Sequence, residues 1–192
     1  MMYRRDTLSF VIELPGGQSR LREMVLYVSA ACKDADRFGK VKLNKILWRA
    51  DFQAFADRRM PVTGRTYQKL AAGPAPLEMP LVLAEMQAQG LLKLTRVEMA
   101  DGYAEDRPTA LAAPSLRDFS QGDIDYVDES IQFYWTKSAS NASDLSHGIA
   151  WKSRKFLDPI PYEAVFLSDA KLNPADCDRF AELAATNNWT SL

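Results

Sequence analysis

The sequence has little of the chemistry that marks metal sites, disulfide-rich proteins and membrane spans. Its 192 residues include one histidine and two cysteines, and the formal net charge at pH 7 is -1. One histidine and two distant cysteines do not give the ligand spacing of a zinc site. A sequence pI near 5.9 lacks the basic excess that proteins binding nucleic acid through its phosphates usually show. The composition therefore argues against a metalloprotein and against wholesale nucleic-acid binding.

Cysteine use and the N-terminal residues indicate a cellular compartment. Cys32 and Cys177 lie far apart in the sequence, which favours free thiols in a reducing compartment over a disulfide framework. The apolar stretch at residues 8–14 is short and contains Glu13, so it predicts neither a signal peptide nor a membrane span. We therefore expect a cytoplasmic protein with no membrane partner.

The composition that is present describes an ordinary globular protein. Hydrophobic residues make up 47% of the chain and charged residues 26%. A chain of this size buries about 70% of its surface on folding, which is enough for a hydrophobic core that needs no disulfide or metal cross-link. We expect residues 1–19 to form a strand-like N-terminal appendage and residues 20–192 to form one helical domain.

Hydrophobic periodicity and turn residues predict a mainly α domain of the α+β class, with several helices and a small β-hairpin. The predicted elements are a strand at 10–14, a helix from the cap Ser19 to Phe38-Gly39, helices at 41–58 and 77–89, strands at 91–99 and 109–113, a helix opened by a capping box at Ser120 and Asp123, a short helix from Ser143, an extended segment at 156–167, and a C-terminal helix after Asn173-Pro174 in which Phe180, Leu183 and Ala184 face inward. This order of three helices and a hairpin suggests a winged-helix-like core.

The second predicted helix, at 41–58, is apolar on two sides, which predicts a central and heavily buried element. Its polar residues include Lys42, Lys45 and Arg49 at helical spacing. We expect these three cations to share one exposed strip.

No catalytic or metal site emerges from the residue pattern. His147 lies three residues after Asp144 and next to Ser146, but on a helix Ser146 would point about 100° away from the imidazole. His147 and Trp151 are four residues apart, so a structural ring pair is the favoured interpretation. We expect no catalytic residue, no metal and no cofactor, and therefore a protein that is not an enzyme.

Four motifs in sequence order resemble one known family. They are Lys42-Leu43-Asn44-Lys45-Ile46-Leu47-Trp48-Arg49-Ala50-Asp51, then Pro61, Gly64 and Tyr67, then Gly73-Pro74, and finally Leu145-Ser146-His147 with Trp151. Together they are similar to the motifs of the Panacea domain, the antitoxin SocA-like family, across about residues 20 to 155. The chain departs from the usual Tyr-Phe at Trp48-Arg49 and from the commoner Val at Ala75.

The resemblance implies a predominantly helical domain from a bacterial or prophage toxin-antitoxin pair, which neutralises a cognate toxin by direct protein-protein binding. One family member is also a proteolytic adaptor, which implies a ClpXP-type protease as a further partner. The family has no catalytic residues to transfer, so the motif positions are interpreted as fold determinants: Asp51, Pro61, Gly64, Gly73, Pro74, His147 and Trp151. Gly64 and Gly73 suit positive φ, and Asp51 could accept hydrogen bonds from loop N–H groups.

The cations of the second helix and the following loop suggest a partner surface. Our hypothesis is that the toxin docks on Lys42, Lys45, Arg49, Arg65 and Tyr67, because clustered cations beside a stiff loop with an aromatic residue are typical of binding hot spots. The alternative is an ordinary solvated helix face. A winged-helix DNA-binding regulator is the alternative function, and the DNA question stays open at this stage.

Overall fold

The fold is known from a computed structural model that describes residues 8–98, 102, 104–167, 175, 178, 179, 182, 185 and 186. In this part of the chain the helices are α1 (Ser19–Ala31), α2 (Lys40–Arg58), α3 (Met79–Ala88), α4 (Gln121–Tyr134), α5 (Ala139–Leu145) and α6 (Ile149–Lys152). The strands are β1 (Tyr67–Leu70), β2 (Gly73–Pro76), β3 (Leu92–Glu98), β4 (Ala104–Ala110) and β5 (Pro159–Ile160), and a 3-10 helix spans Tyr162–Phe166. The predicted mainly helical α+β class is confirmed.

The strands form two small antiparallel sheets. One has the order β2-β1-β5, so β1 pairs with its hairpin partner β2, the next strand in the chain, and with β5, which lies far along the chain. The other is the β3-β4 hairpin, with Leu92 opposite Ala110 and Glu98 opposite Ala104. The helix order of the winged-helix-like prediction is present, with the β1-β2 hairpin inserted between α2 and α3.

Helix α2 lies at the centre of the domain. On one side it contributes Leu43, Ile46, Leu47 and Ala50 to the main hydrophobic core, which also contains residues of α1, α3 and α4. On another side Phe52 and Phe55 join a second core with residues of β1, β5 and the 3-10 helix. No residue from Lys40 to Ala56 is exposed. The two-sided apolar pattern therefore predicted a buried central helix correctly.

The two predicted helix caps have different outcomes. Ser120 accepts a hydrogen bond from the backbone N–H of Asp123, whose side chain accepts one from the backbone N–H of Ser120, so the predicted capping box is confirmed. The prediction that Ser19 caps α1 is wrong. Gln18 occupies the cap position with a helical backbone, and the Ser19 hydroxyl instead donates to the Gly16 carbonyl at 2.6 Å.

The predicted N-terminal strand at 10–14 is wrong, because no residue from 8 to 14 is in a strand. Isolated hydrogen bonds hold this segment. Ile12 N–H donates to the Gly64 carbonyl at 2.9 Å, Tyr162 N–H donates to the Ser9 carbonyl at 2.8 Å, and Ser9 N–H donates to the Glu163 carboxylate at 2.9 Å. These bonds do not form a ladder, so the described part of the appendage is irregular but attached.

Four further details differ from the prediction. The first helix ends at Ala31, and Gly39 is the N-cap of α2 rather than the end of α1. The second hairpin strand begins earlier, at Ala104, because Pro108 pairs with Leu94 instead of marking the return, which an edge strand permits. The predicted short helix from Ser143 is two helices, α5 and α6, and the segment 156–167 holds both β5 and the 3-10 helix.

The predicted C-terminal helix falls largely outside the described residues, including Asn173, Pro174, Phe180, Leu183 and Ala184. The six described residues between 175 and 186 are helical and exposed. None of the helices in the described part of the chain combines the length and apolarity that crossing a membrane requires.

Candidate partner-binding site

A buried carboxylate connects α2 to the loop that follows it. Asp51 is completely buried and accepts hydrogen bonds from the Thr63 N–H at 2.5 Å and from the Thr63 hydroxyl. It also accepts one from the Tyr67 hydroxyl at 2.8 Å. Burial raises the pKa of Asp51 above its ordinary value, and these hydrogen bonds oppose the rise. The predicted bond from a loop N–H to Asp51 is confirmed, and it fixes residues 61–67 on the helix.

Gly64 permits the close approach of the loop to the N-terminal segment. Its φ is +71°, and a Cβ at this position would overlap the backbone carbonyl oxygen of Ile12. The neighbouring Pro61 is buried, and its ring fixes φ at the start of the loop. Only glycine combines this backbone conformation with this lack of volume.

A second buried contact joins α2 to the β1-β2 hairpin and to α5. The Lys45 side chain is 1% exposed, and its Nζ donates to the Pro74 carbonyl at 2.8 Å. Gly73 has a φ of +94°, and a Cβ there would overlap Ser146 Oγ and lie 2.7 Å from Lys45 Nζ. Burial lowers the pKa of Lys45 to about 7, because removing the ammonium from water disfavours its charged form.

The one histidine of the chain is stacked against a tryptophan, as its spacing predicts. The rings of His147 and Trp151 lie 3.9 Å apart at 17°. Trp151 Nε1 donates to the Leu70 carbonyl at 3.0 Å, and Lys69 Nζ lies 3.9 Å from the Trp151 ring centroid. Burial and the nearby Lys45 lower the pKa of His147. This stack attaches the α5-α6 segment to β1, and its role in determining the fold stays a prediction.

Four of the five residues hypothesised to bind the toxin are buried, so the expected exposed strip of cations is wrong. Lys42 is 2% exposed and donates to the Trp135 carbonyl at 3.3 Å, and Tyr67 is 0% exposed. Arg65 is 6% exposed and makes two hydrogen bonds to the Glu78 carboxylate, at 3.0 and 2.7 Å. Neighbouring elements cover α2 at Lys42 and Lys45, so these two side chains end on carbonyls of the same chain. Arg65, in the loop after α2, ends on a carboxylate.

Arg49 is the member of the hypothesised set that reaches an open surface. Its guanidinium lies 4.2 Å from the centroid of the Phe133 ring. Its Nε atom is buried, and no hydrogen-bond acceptor faces it in the part of the chain that the structure describes. Arg49 therefore differs from Lys42, Lys45 and Arg65 in having an unsatisfied donor.

We name the space beside Arg49 the α2 groove. It lies between α2, α4, the α5-α6 segment and the 3-10 helix, and its volume is about 280 Å³. Its lining includes Trp48, Arg49, Phe133, Leu145, Ile149 and Leu167. Leu145 is 54% exposed and Leu167 is 48% exposed. The groove is thus an apolar depression with one cation at its edge, a suitable shape for a partner side chain.

Sequence reasoning missed a polar cluster around Arg20. Arg20 is 4% exposed and donates to the Val62 carbonyl at 2.7 Å and to Asp123 at 3.4 Å. Asp123 also pairs with Arg58. The capping box pointed to Asp123, but no local signal indicated its two arginine partners. The cluster joins α1, α2 and α4 within the domain rather than at the groove.

No group of three or more His, Cys, Asp or Glu side chains could hold a metal ion among the residues the structure describes. Cys32 is a buried free thiol, and Cys177 lies outside those residues.

The fold and the site define a mainly helical α+β domain in which a buried central helix carries a stiff loop on one side and an open groove on another. The family model described as antitoxin SocA-like, Panacea domain, matches residues 43–152, and the chain belongs to this family. The match extends from α2 to α6 and includes every element that lines the groove except the 3-10 helix and Leu167. Family membership supports an antitoxin role and implies a toxin as partner. Comparison with curated proteins and with solved structures finds no match.

Proposed function

We propose that this chain is an antitoxin that acts in the cytoplasm and neutralises a cognate protein toxin by binding it directly. The family match over residues 43–152 carries the proposal. The contacts of Asp51 and Lys45 support it, because they fix the loop and the β1-β2 hairpin at 61–76 on a buried helix. A surface that is ordered before binding loses less conformational entropy when a partner docks.

The test is co-expression with the product of the adjacent gene, with cell growth and co-purification as readouts. We expect the chain to restore growth and to co-purify with the toxin as a stable complex. Failure of both readouts with the products of both neighbouring genes would overturn the proposal.

We also propose that neutralisation involves no catalysis. His147 is stacked on Trp151, and its Nε2 lies 3.3 Å from Ser143 Oγ, four residues earlier. Ser146 Oγ donates to the Ser143 carbonyl at 2.6 Å rather than to the imidazole. We therefore expect His147→Ala, once its fold is verified by circular dichroism, to rescue growth as well as the unaltered chain does. Loss of rescue by a folded His147→Ala protein would favour a catalytic role.

Delivery of the toxin to a ClpXP-type protease is a further step, and the growth-rescue assay can distinguish it from neutralisation by binding alone. Rescue is measured in a host with the protease and in one lacking it, with toxin abundance followed by immunoblot. If binding alone neutralises the toxin, rescue and toxin level are equal in both hosts. Rescue only in the host with the protease would make the chain an adaptor.

The DNA-binding alternative rests on the order of three helices and a hairpin. Two observations weigh against it: α2 has no exposed residue from Lys40 to Ala56, and α3 contains no lysine or arginine. A helix that reads the major groove must be accessible and usually carries cations. We expect no salt-dependent DNA retention by the purified chain at physiological ionic strength, and its appearance would favour the regulator.

A further inference from the structure

We propose that the α2 groove is where the toxin docks, and that it takes a toxin segment with a large apolar side chain beside a carboxylate that Arg49 binds. This inference rests on the proposed antitoxin function and adds the site and the chemistry of the partner.

The cations of α2 differ in their hydrogen bonds. Lys42 donates to the Trp135 carbonyl and Lys45 to the Pro74 carbonyl. Arg49 makes a ring contact with Phe133, but its buried Nε has no acceptor in the described chain. Because a buried donor without an acceptor costs about 1–3 kcal/mol, native structures rarely leave one unsatisfied. Arg49 also lines the groove, so a carboxylate that docks there can bind the part of its guanidinium group that faces the groove.

The groove wall next to Arg49 is aromatic and apolar. Trp48 is stacked on Phe52 with the ring centroids 3.5 Å apart, so the aromatic wall is fixed before a partner arrives. Leu145 and Leu167 stand at the rim about half exposed. Large apolar side chains that remain in water around a concave surface are typical of interaction sites. A partner's aliphatic or aromatic side chain would remove them from water.

Charge complementarity with Arg49 favours a carboxylate as the polar group of the toxin segment. Arg49 is the charged residue of the groove lining, and guanidinium groups bind carboxylates through two parallel hydrogen bonds. Asp125, Asp128 and Glu129 line a second cleft, which shares Arg49 and Phe133 with the groove. These acids repel a carboxylate from that cleft, so the groove is the favourable position.

The test measures the affinity of purified variants for the product of the adjacent toxin gene, together with growth rescue. We expect Arg49→Glu and Leu145→Arg each to weaken affinity at least tenfold, because the first reverses the charge and the second places a cation in the apolar groove. We expect Arg49→Lys to weaken it less, since lysine keeps the charge but lacks the planar donor pair.

Leu111→Arg is the matched control, because Leu111 is 59% exposed and does not line the groove. It should leave affinity unchanged. Circular dichroism and thermal unfolding verify that all variants are folded, which is expected because Leu145 is exposed at the surface.

The outcomes separate this inference from the proposed function. If the unaltered chain does not bind the toxin, the proposed function fails. If the unaltered chain binds and both groove variants bind equally well, the groove assignment alone is overturned. Light scattering tests a second copy of the chain as the occupant: if Leu145→Arg abolishes self-association but keeps toxin affinity, the groove belongs to that second copy and the inference is also overturned.

Discussion

The polar side chains on two sides of α2 differ in their hydrogen bonding. On the side of the loop, Asp51 is buried and hydrogen-bonded to Thr63 and Tyr67. On the side of the groove, Arg49 has a buried Nε without an acceptor. The difference suggests that the first side determines the stability of the domain and that the second is available for a partner.

Substitutions on these two sides of α2 should therefore differ in their effect on the free energy of unfolding. Changes on the loop side should lower the free energy of unfolding, whereas changes on the groove side should leave it almost unaltered. Variants that violate this division would show that the two sides do not have separate roles.

The largest effect is expected for Gly64→Ala. The added Cβ would overlap the Ile12 carbonyl oxygen, and φ is +71°, so both the contact and the backbone conformation become unfavourable. We expect a loss of about 3–5 kcal/mol in the free energy of unfolding, measured by urea denaturation.

Gly90→Ala is the matched control for Gly64→Ala. Gly90 has nearly the same φ, +68°, but nothing lies within 4 Å of the added Cβ. Only the backbone cost of about 1 kcal/mol should remain. Equal losses in the two variants would contradict the view that the loop is pressed tightly against the N-terminal segment.

The next largest effect is expected for Asp51→Asn. An amide cannot accept all the hydrogen bonds that Thr63 and Tyr67 donate to the carboxylate, and its own NH₂ would face those donors. We expect a loss of about 2–4 kcal/mol in urea denaturation. The control is Asp57→Asn, an exposed carboxylate bonded to Tyr126 at 3.1 Å, for which about 0.5 kcal/mol is expected. A loss as small at Asp51 would mean that the loop is held by apolar packing alone.

The sequence largely predicts the features that these variants test. They depend on patterns among residues that are close together in the chain. The capping box at Ser120 and Asp123 depends on residues three positions apart. The burial of α2 follows from apolar residues on two of its sides. Asp51 belongs to the family motif and was expected to accept hydrogen bonds from loop N–H groups, and the Thr63 bond confirms that interpretation.

The features that the sequence did not predict depend on contacts between distant segments. Lys45 looked like part of an exposed strip, but its acceptor, the Pro74 carbonyl, lies 29 residues along the chain. Arg20 bonds to groups 42 and 103 residues away. Helical spacing indicates which direction a side chain points, but it does not show which element will cover it. The groove is composed in the same way of four separate segments.

An intermediate effect is expected for Lys45→Met, and it depends on pH. Burial lowers the pKa of Lys45 from its ordinary 10.5 to about 7 in the folded chain. Between these two values the unfolded chain holds a proton that the folded chain has released, so the stability of the unaltered protein should rise with pH. Below pH 7 both states are protonated, and this contribution is constant.

The measurement is urea denaturation at several pH values from 7 to 9.5. Relative to Lys45→Met, the unaltered chain should gain up to about 1.4 kcal/mol per pH unit. His147 does not interfere, because its pKa is lowered from 6.5 and it titrates below this range. Identical pH slopes in the two proteins would show that Lys45 keeps its proton and that water reaches its ammonium group.

The smallest effect on stability is expected for Arg49→Ala, and it is the sharpest test of the comparison. The substitution removes a ring contact with Phe133, worth about 0.5–1 kcal/mol at a partly exposed site. It also removes a buried donor without an acceptor, which offsets part of that loss. We therefore expect the free energy of unfolding to change by less than about 1 kcal/mol, while toxin affinity falls at least tenfold. A loss of stability as large as that of Asp51→Asn would place Arg49 in the scaffold, and the groove side of α2 would then have the same role as the loop side.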